Sequence, residues 1–230
     1  MDLSPETTAA TPATEGYDFT SGSLCLDFVN TASTHEPVTG EDLHSYAHVV
    51  EWARQARLLD EEQVAALYGA ATDDRSAADA AYAGTLALRE TIYRLVTAAI
   101  RERPASDEDL AAFNSALTAN LQNARVAHDD EGFYRMWRDD VLPFDRPLWS
   151  VIDAAAGLLI SPGTLSRLRH CAGERCDWLF IDNSRNHSRR WCSMSGCGNR
   201  AKAKRSYARR KRAAPPLPIE AAGSPSESRW

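Results

Sequence analysis

"RRWCSMSGCGNRAKAKRSYARRK", residues 189–211, sets two cysteines, Cys192 and Cys197, at the head of a segment dense in Arg and Lys. Upstream lies a matching pair, Cys171 and Cys176, which completes the pattern C-x4-C-x15-C-x4-C. Two close pairs across a medium loop suit a tetrahedral thiolate site, each pair forming a knuckle and the loop letting the knuckles face each other. A C-x-x-C spacing would point to redox chemistry instead. Four thiolates close the coordination sphere, so one structural Zn2+ per chain is expected, on Cys171, Cys176, Cys192 and Cys197. His170 and His187 lie nearby but are read as outside the ligand set. No H-x-E precedes the cysteines, which excludes a zinc nucleobase deaminase. The fifth cysteine, Cys25 in "SLCLDFVN", reads as a small buried apolar residue. An odd count with four members clustered late does not make a disulfide framework.

Charge is distributed as unevenly as cysteine. The chain carries −6 overall, yet residues 165–212 hold fourteen Arg or Lys against three acids, or +11. The remainder holds 12 bases and 29 acids, or −17. Such asymmetry is a sign of polyanion binding by one part of a chain only. A zinc–tetrathiolate centre carries −2, which Arg175, Arg189 and Arg190 would offset, but most of the excess remains. The segment after Cys197, "GNRAKAKRSYARRKR", is a good helix former with bases on every face and Tyr207 as its one large apolar residue. A helix without an apolar stripe gains little from packing, and a phosphate backbone is the natural partner for its charge. A solvated charged tail is the competing reading; zinc at the N-terminus of the helix argues against it.

Outward from this module the chain reads as mainly α. Residues 1–16 and 213–230 have the composition of disordered tails. Between them, 17–162 is expected to form a multihelical domain with one β-hairpin, able to fold without the basic module at 165–212. Thr39 is a candidate N-cap for "TGEDLHSYAHVVEWARQARLL". Asp60 suits the start of a short helix to Tyr68. The Ala-rich run from about Ser76 to Arg101 predicts one long helix ended by Pro104. Ser106 opens another helix, with acids in its first turn. "ARVAHDDEGFYRMWRDD" alternates about a "DDEG" turn and predicts the hairpin. "PLWSVIDAAAGLLISP" predicts a buried helix ended at Ser161-Pro162. Within the module, "WLFIDNSRNHSRRW" predicts a second-level hairpin turning about Asn183–His187, with Trp178 and Phe180 on one alternation. The order is knuckle, hairpin, knuckle, helix, which is treble-clef-like.

The stretch "CDWLFIDNSRNHSRRWCSMSGCGNRAKAKR" resembles the bacterial CGNR zinc-finger family, named for the motif standing here as Cys197-Gly198-Asn199-Arg200. The resemblance spans about residues 169–210 and lays the four cysteines on the metal positions of that family. "LCLDFVNT" at 24–31 and the helix before Pro162 resemble, more weakly, the ABATE module that precedes such fingers. This implies a mostly α upstream domain and a role as a stress-induced transcription regulator.

The leading functional reading is a transcription regulator that binds double-stranded DNA. Arg200, Lys202, Lys204 and Arg205 would lie nearest the duplex, with Arg189, Arg190 and Arg209 adding phosphate contacts. The acidic domain would dimerise or sense a small-molecule effector. Asp27, Asn30 and Thr31, polar residues inside an apolar run, are candidate ligand contacts; a buried hydrogen-bonded turn competes with that reading and is favoured. The alternative partner is RNA or the ribosome, with stacking aromatics as its signature. An enzyme is not expected, since no paired-carboxylate, Ser/His/Asp or phosphate-loop motif is present. His35, His44 and His48 are read as surface or core histidines rather than a second metal site. With no apolar run of membrane-spanning length and no secretory leader at the first residues, the expectation is a cytoplasmic protein with reduced thiols.

Overall fold

The computed structural model describes residues 16–213. Apart from Gly16 and Ala213, the expected tails lie outside the described residues. The elements run α1 (Leu24–Val29), β1 (Ala32–His35), β2 (Val38–Glu41), α2 (Tyr46–Gln55), α3 (Glu61–Asp73), α4 (Arg75–Ile100), α5 (Asp107–Leu121), β3 (Ala124–Asp129), β4 (Gly132–Trp137), α6 (Trp149–Leu159), α7 (Pro162–Leu165), β5 (Leu168–His170), β6 (Leu179–Ile181) and α8 (Asn199–Ala213). The expected mainly α architecture is present.

The local signals that set helix starts are side-chain caps. Asp60 and Gln63 form a reciprocal capping box at α3, with Gln63 N donating to Asp60 Oδ1 at 2.8 Å and Asp60 N donating to Gln63 Oε1 at 3.2 Å. The helix then runs past Tyr68 to Asp73, longer than expected. Asp74 caps α4, and Ser106 caps α5. The hairpin β3–β4 pairs from Ala124↔Trp137 to Asp129↔Gly132, as the alternation predicts.

Two expectations need correction. Thr39 does not cap α2; it lies in β2, and Ser45 holds the N-cap position. The segment before it forms an additional hairpin, with Ala32↔Glu41 and Thr34↔Thr39 paired across a turn at Glu36-Pro37. Acids after a Thr mimic a helix start, but Gly40 adopts φ +60°, and a Cβ there would meet Ser33 Oγ at 2.4 Å. The described residues therefore contain three two-stranded sheets, β1–β2, β3–β4 and β5–β6.

The core gathers around α4. Helix α1 packs on α4 and α6, and α5 packs on α4 and α6. Trp52, Phe28, Leu26, Leu67 and Ile92 are fully buried there. The most deeply buried charged residue among the described residues of the helical domain is Arg89, 1% exposed. Its guanidinium forks onto Glu41, with Nη1–Oε1 2.7 Å and Nη2–Oε2 2.6 Å, and Nη1 also donates to Thr31 Oγ1 at 3.0 Å. A bidentate pair of this kind fixes direction as well as charge, and it locks β2 and the end of α1 against α4.

The core does not stop at the boundary expected near residue 162. Leu168, Leu179 and Ile181, from β5 and β6, belong to the same apolar cluster as Leu26, Val50 and Ile92. Phe180, between two of them, points the other way and packs with the four cysteines, Trp178 and Trp191. Successive strand residues face opposite sides, so one three-residue strand serves two cores.

Candidate metal centre and nucleic-acid interface

The four cysteines converge as the spacing predicts. The Sγ atoms of Cys171, Cys176, Cys192 and Cys197 all lie within 4.8 Å of one another, and every one of the four is buried. They are free thiols rather than disulfides. The first pair brackets the tip of the β5–β6 hairpin. This replaces the expected hairpin about Asn183–His187: β6 pairs backwards with β5, Leu168↔Ile181 and His170↔Leu179. The residues after β6 instead close a turn on Asp182, whose carboxylate accepts from Ser184 N, Ser184 Oγ and Arg189 N. The polar run that resembled a hairpin loop is wrapped around one buried acid. In the second pair, Cys192 precedes and Cys197 lies within a single π-helical turn, Met194–Gly198, that feeds directly into α8.

The pocket between the pairs fits a metal and little else. A Cβ on Gly173 would stand 2.7 Å from Cys197 Sγ and 3.3 Å from Cys171 Sγ, so only glycine lets the first knuckle close over the sulfurs. Gly173 N and Cys192 N each donate to Cys171 Sγ at 3.4 Å, and Arg200 Nη2 donates to Cys197 Sγ at 2.9 Å. N–H donors aimed at sulfur are the outer-shell support of a thiolate site. Four thiols whose sulfurs lie this close together suit a divalent cation, which deprotonates the thiols that bind it. The donor set and its closed, buried geometry are those of a structural zinc ion.

Neither nearby histidine joins the set. His170 Nε2 lies 3.5 Å from Tyr93 Oη, and His187 Nδ1 lies 3.0 Å from the Asp182 carbonyl. Cys25 is fully buried beside Ser23 Oγ, and burial pushes its thiol up to about 11. His35 is a core residue, its Nδ1 2.7 Å from Glu90 and its ring stacked on Tyr93 at 3.8 Å.

The basic residues divide by role. Arg189 is turned inward: its guanidinium donates to the carbonyls of Trp191 and Cys192 and stacks 4.4 Å over Phe180. Arg200 serves the sulfur of Cys197, and Lys204 pairs with Glu174 on the first knuckle. Arg200 thus joins the arginines expected to offset the charge of the metal centre. Arg190, Lys202, Arg205 and Arg209 are exposed. Between the first knuckle and α8 runs a cleft of about 480 Å3, lined by Arg175, Arg190, Trp191, Arg200, Lys204 and Arg205. Arg190 and Arg205 flank the Trp191 ring at 5.3 and 6.0 Å. Gly173 and Asp182 were not singled out from the sequence. Gly173 sits inside the C-x4-C knuckle, where a glycine beside a ligand is the available signal.

The three polar residues of the "LCLDFVNT" run hold the junction. Asn30 Nδ2 donates to the Leu179 carbonyl and Leu179 N donates to Asn30 Oδ1, both at 2.9 Å. Thr31 Oγ1 donates to the Phe28 carbonyl, and Asp27 Oδ1 accepts from Ser21 N. Further bonds cross the same seam: Asp177 N to the Ser33 carbonyl, Ile181 N to the Ser21 carbonyl, and Trp178 Nε1 to the Ala32 carbonyl at 3.0 Å. Thr31 closes a local turn, whereas Asn30 reaches across to the finger rather than to a turn of its own segment, and Asp27, Asn30 and Thr31 also line a cavity.

A helical domain clasping a four-cysteine zinc finger that ends in a basic helix defines the class. Residues 22–162 match the ABATE family model, described as "Putative stress-induced transcription regulator", and residues 167–210 match the CGNR zinc finger. The chain belongs to the ABATE family and carries a CGNR zinc finger. A search of curated proteins finds no match. No helix among the described residues is long and apolar enough to cross a membrane.

Proposed function

We propose that this chain is a DNA-binding transcription regulator and not an enzyme, with the finger and α8 forming the duplex-binding face. The observation that supports this most is the aim of α8. Its first turn is tied to the metal centre through Cys197 and Arg200, and it presents exposed Lys202, Arg205 and Arg209 with no apolar stripe to pack. The rest of the chain is strongly acidic, so duplex binding is confined to this face. Four thiolate ligands leave zinc no open position, which supports a structural rather than a catalytic ion.

The test is enrichment of bound fragments from random duplex DNA, run beside the same selection on RNA. A common duplex motif is expected. If about six phosphates are neutralised, log K should fall against log[salt] with a slope near −5. Equal or better enrichment from RNA would overturn the reading, as would duplex binding with no sequence preference.

A further inference from the structure

A cavity of about 430 Å3 opens where the helical domain meets the finger. Its wall includes Tyr17, Asp18, Asp27 and Asp42 from the helical domain and Trp178 from the finger, and no Arg or Lys lines it. The volume is that of a small-molecule site. His44 and His48 also line the wall, and burial first, then the neighbouring His44, hold His48 below its ordinary value. The acids do not converge on a metal. Among the described residues, only the four cysteines bring such ligand atoms together.

Asp27 is the sharpest feature. It is 8% exposed, accepts from Ser21 N at 2.9 Å, and enters no ion pair among the described residues. Burial pushes its carboxyl above the usual range, and the charge of Asp18 adds to that. A buried carboxylate without a cation is costly, and a positive group arriving through the cavity would relieve it. Tyr17 and Trp178 line the same cavity, and aromatic rings attract an ammonium group within about 6 Å.

We infer that this cavity binds a small organic cation, an amine or quaternary ammonium compound, between α1 and the finger. The position gives the ligand a hold on the finger. Trp178 follows the metal ligand Cys176 by two residues, and Asn30, also in the wall, carries the double hydrogen bond to Leu179. Occupancy would tighten the seam that orients the metal centre.

The experiment is calorimetric titration of the full-length, zinc-loaded chain with putrescine, spermidine and choline. 1,4-Butanediol and glutamate serve as neutral and anionic controls. At least one of the three cations should bind saturably with one site per chain, and the controls should not. An opposite charge within about 4–6 Å shifts a carboxyl by one to three pKa units, so Asp27→Asn should weaken the cation at least about tenfold. The inference is overturned if none of the three binds at millimolar concentration, if a control binds as tightly, or if Asp27→Asn binds unchanged. Should that variant not fold, Asp18→Asn, at an exposed position, decides: unchanged affinity there overturns the inference. No DNA is present, so failure leaves the DNA-binding reading untouched.

Discussion

The helical domain and the finger tip are held together by different physics. Around α4 a large set of apolar side chains leaves water, and the helices would lose most of their stability without that burial. The finger tip has Phe180, two half-buried tryptophans and four sulfurs, too little apolar surface to order a module of this length. Its cohesion must come from the ion. Yet the two regions meet in one hairpin, with Leu179 and Ile181 turned to the helices and Phe180 turned to the sulfurs. A division drawn at residue 162 separates two sequence families, but it cuts through a shared core.

Removing the metal should give the largest effect. Structural zinc contributes roughly 10–16 kcal/mol to folding in finger peptides. Cys192→Ser should therefore lower bound zinc below half an equivalent by elemental analysis and abolish duplex binding in a gel-shift assay, although no positive charge is lost. Metal-free Cys192→Ser binding with unchanged affinity would mean that α8 acts as a charged tail. Cys25→Ser should leave the zinc in place.

The shared hairpin comes next. Leu179→Ala deletes a fully buried side chain and should cost about 2–5 kcal/mol, read as a lower urea midpoint of the helical circular-dichroism signal. A 1–162 fragment, lacking Leu168, Leu179 and Ile181, should melt below the full chain. If either protein kept the full-length transition, the helices and the finger would be separate folding units. Asn30→Ala strands the N–H and carbonyl of Leu179 at a buried site and should cost about 1–3 kcal/mol in the same measurement.

Within the finger, the contrast between inward and outward arginines is testable by salt titration. Arg205→Ala and Lys202→Ala should each lower the salt slope of duplex binding by about one if the side chain meets a phosphate. Arg189→Ala should instead lower the thermal stability of the finger, because its guanidinium holds the Trp191 and Cys192 carbonyls.

The smallest effect concerns acid stability far from the zinc. Hydrogen bonding from Arg94 holds Asp109 below its ordinary range. A depressed carboxyl contributes stability above its unfolded-state value near 4 and loses it as pH falls through the lower folded-state value. Arg94 is 45% exposed at its side chain, so the contribution should be under about 1 kcal/mol. Asp109→Asn should flatten the stability profile below pH 4, seen as converging urea midpoints of variant and parent.

What was legible in the sequence followed from chemistry that acts over a few residues. Four thiols in two close pairs specify a zinc site wherever they stand. Asp60 and Ser106 announce helix starts because their caps bond within three residues, and "DDEG" announces a turn. A charge imbalance between segments needs no fold to be seen. Tertiary structure decided the rest, because the deciding partners are distant in sequence. Strand β6 could pair forwards across Asn183–His187 or backwards with β5. It pairs backwards because that places Leu179 and Ile181 on the helical core and leaves Asp182 to collect the N–H groups of the following turn. Asn30 reads as a polar break in an apolar run until Leu179, 149 residues away, supplies the two backbone groups that it satisfies. Arg189 and Arg205 are alike as sequence. Only the fold turns one towards Phe180 and leaves the other at the cleft, since a guanidinium's role depends on which carbonyls and rings the chain brings within its reach.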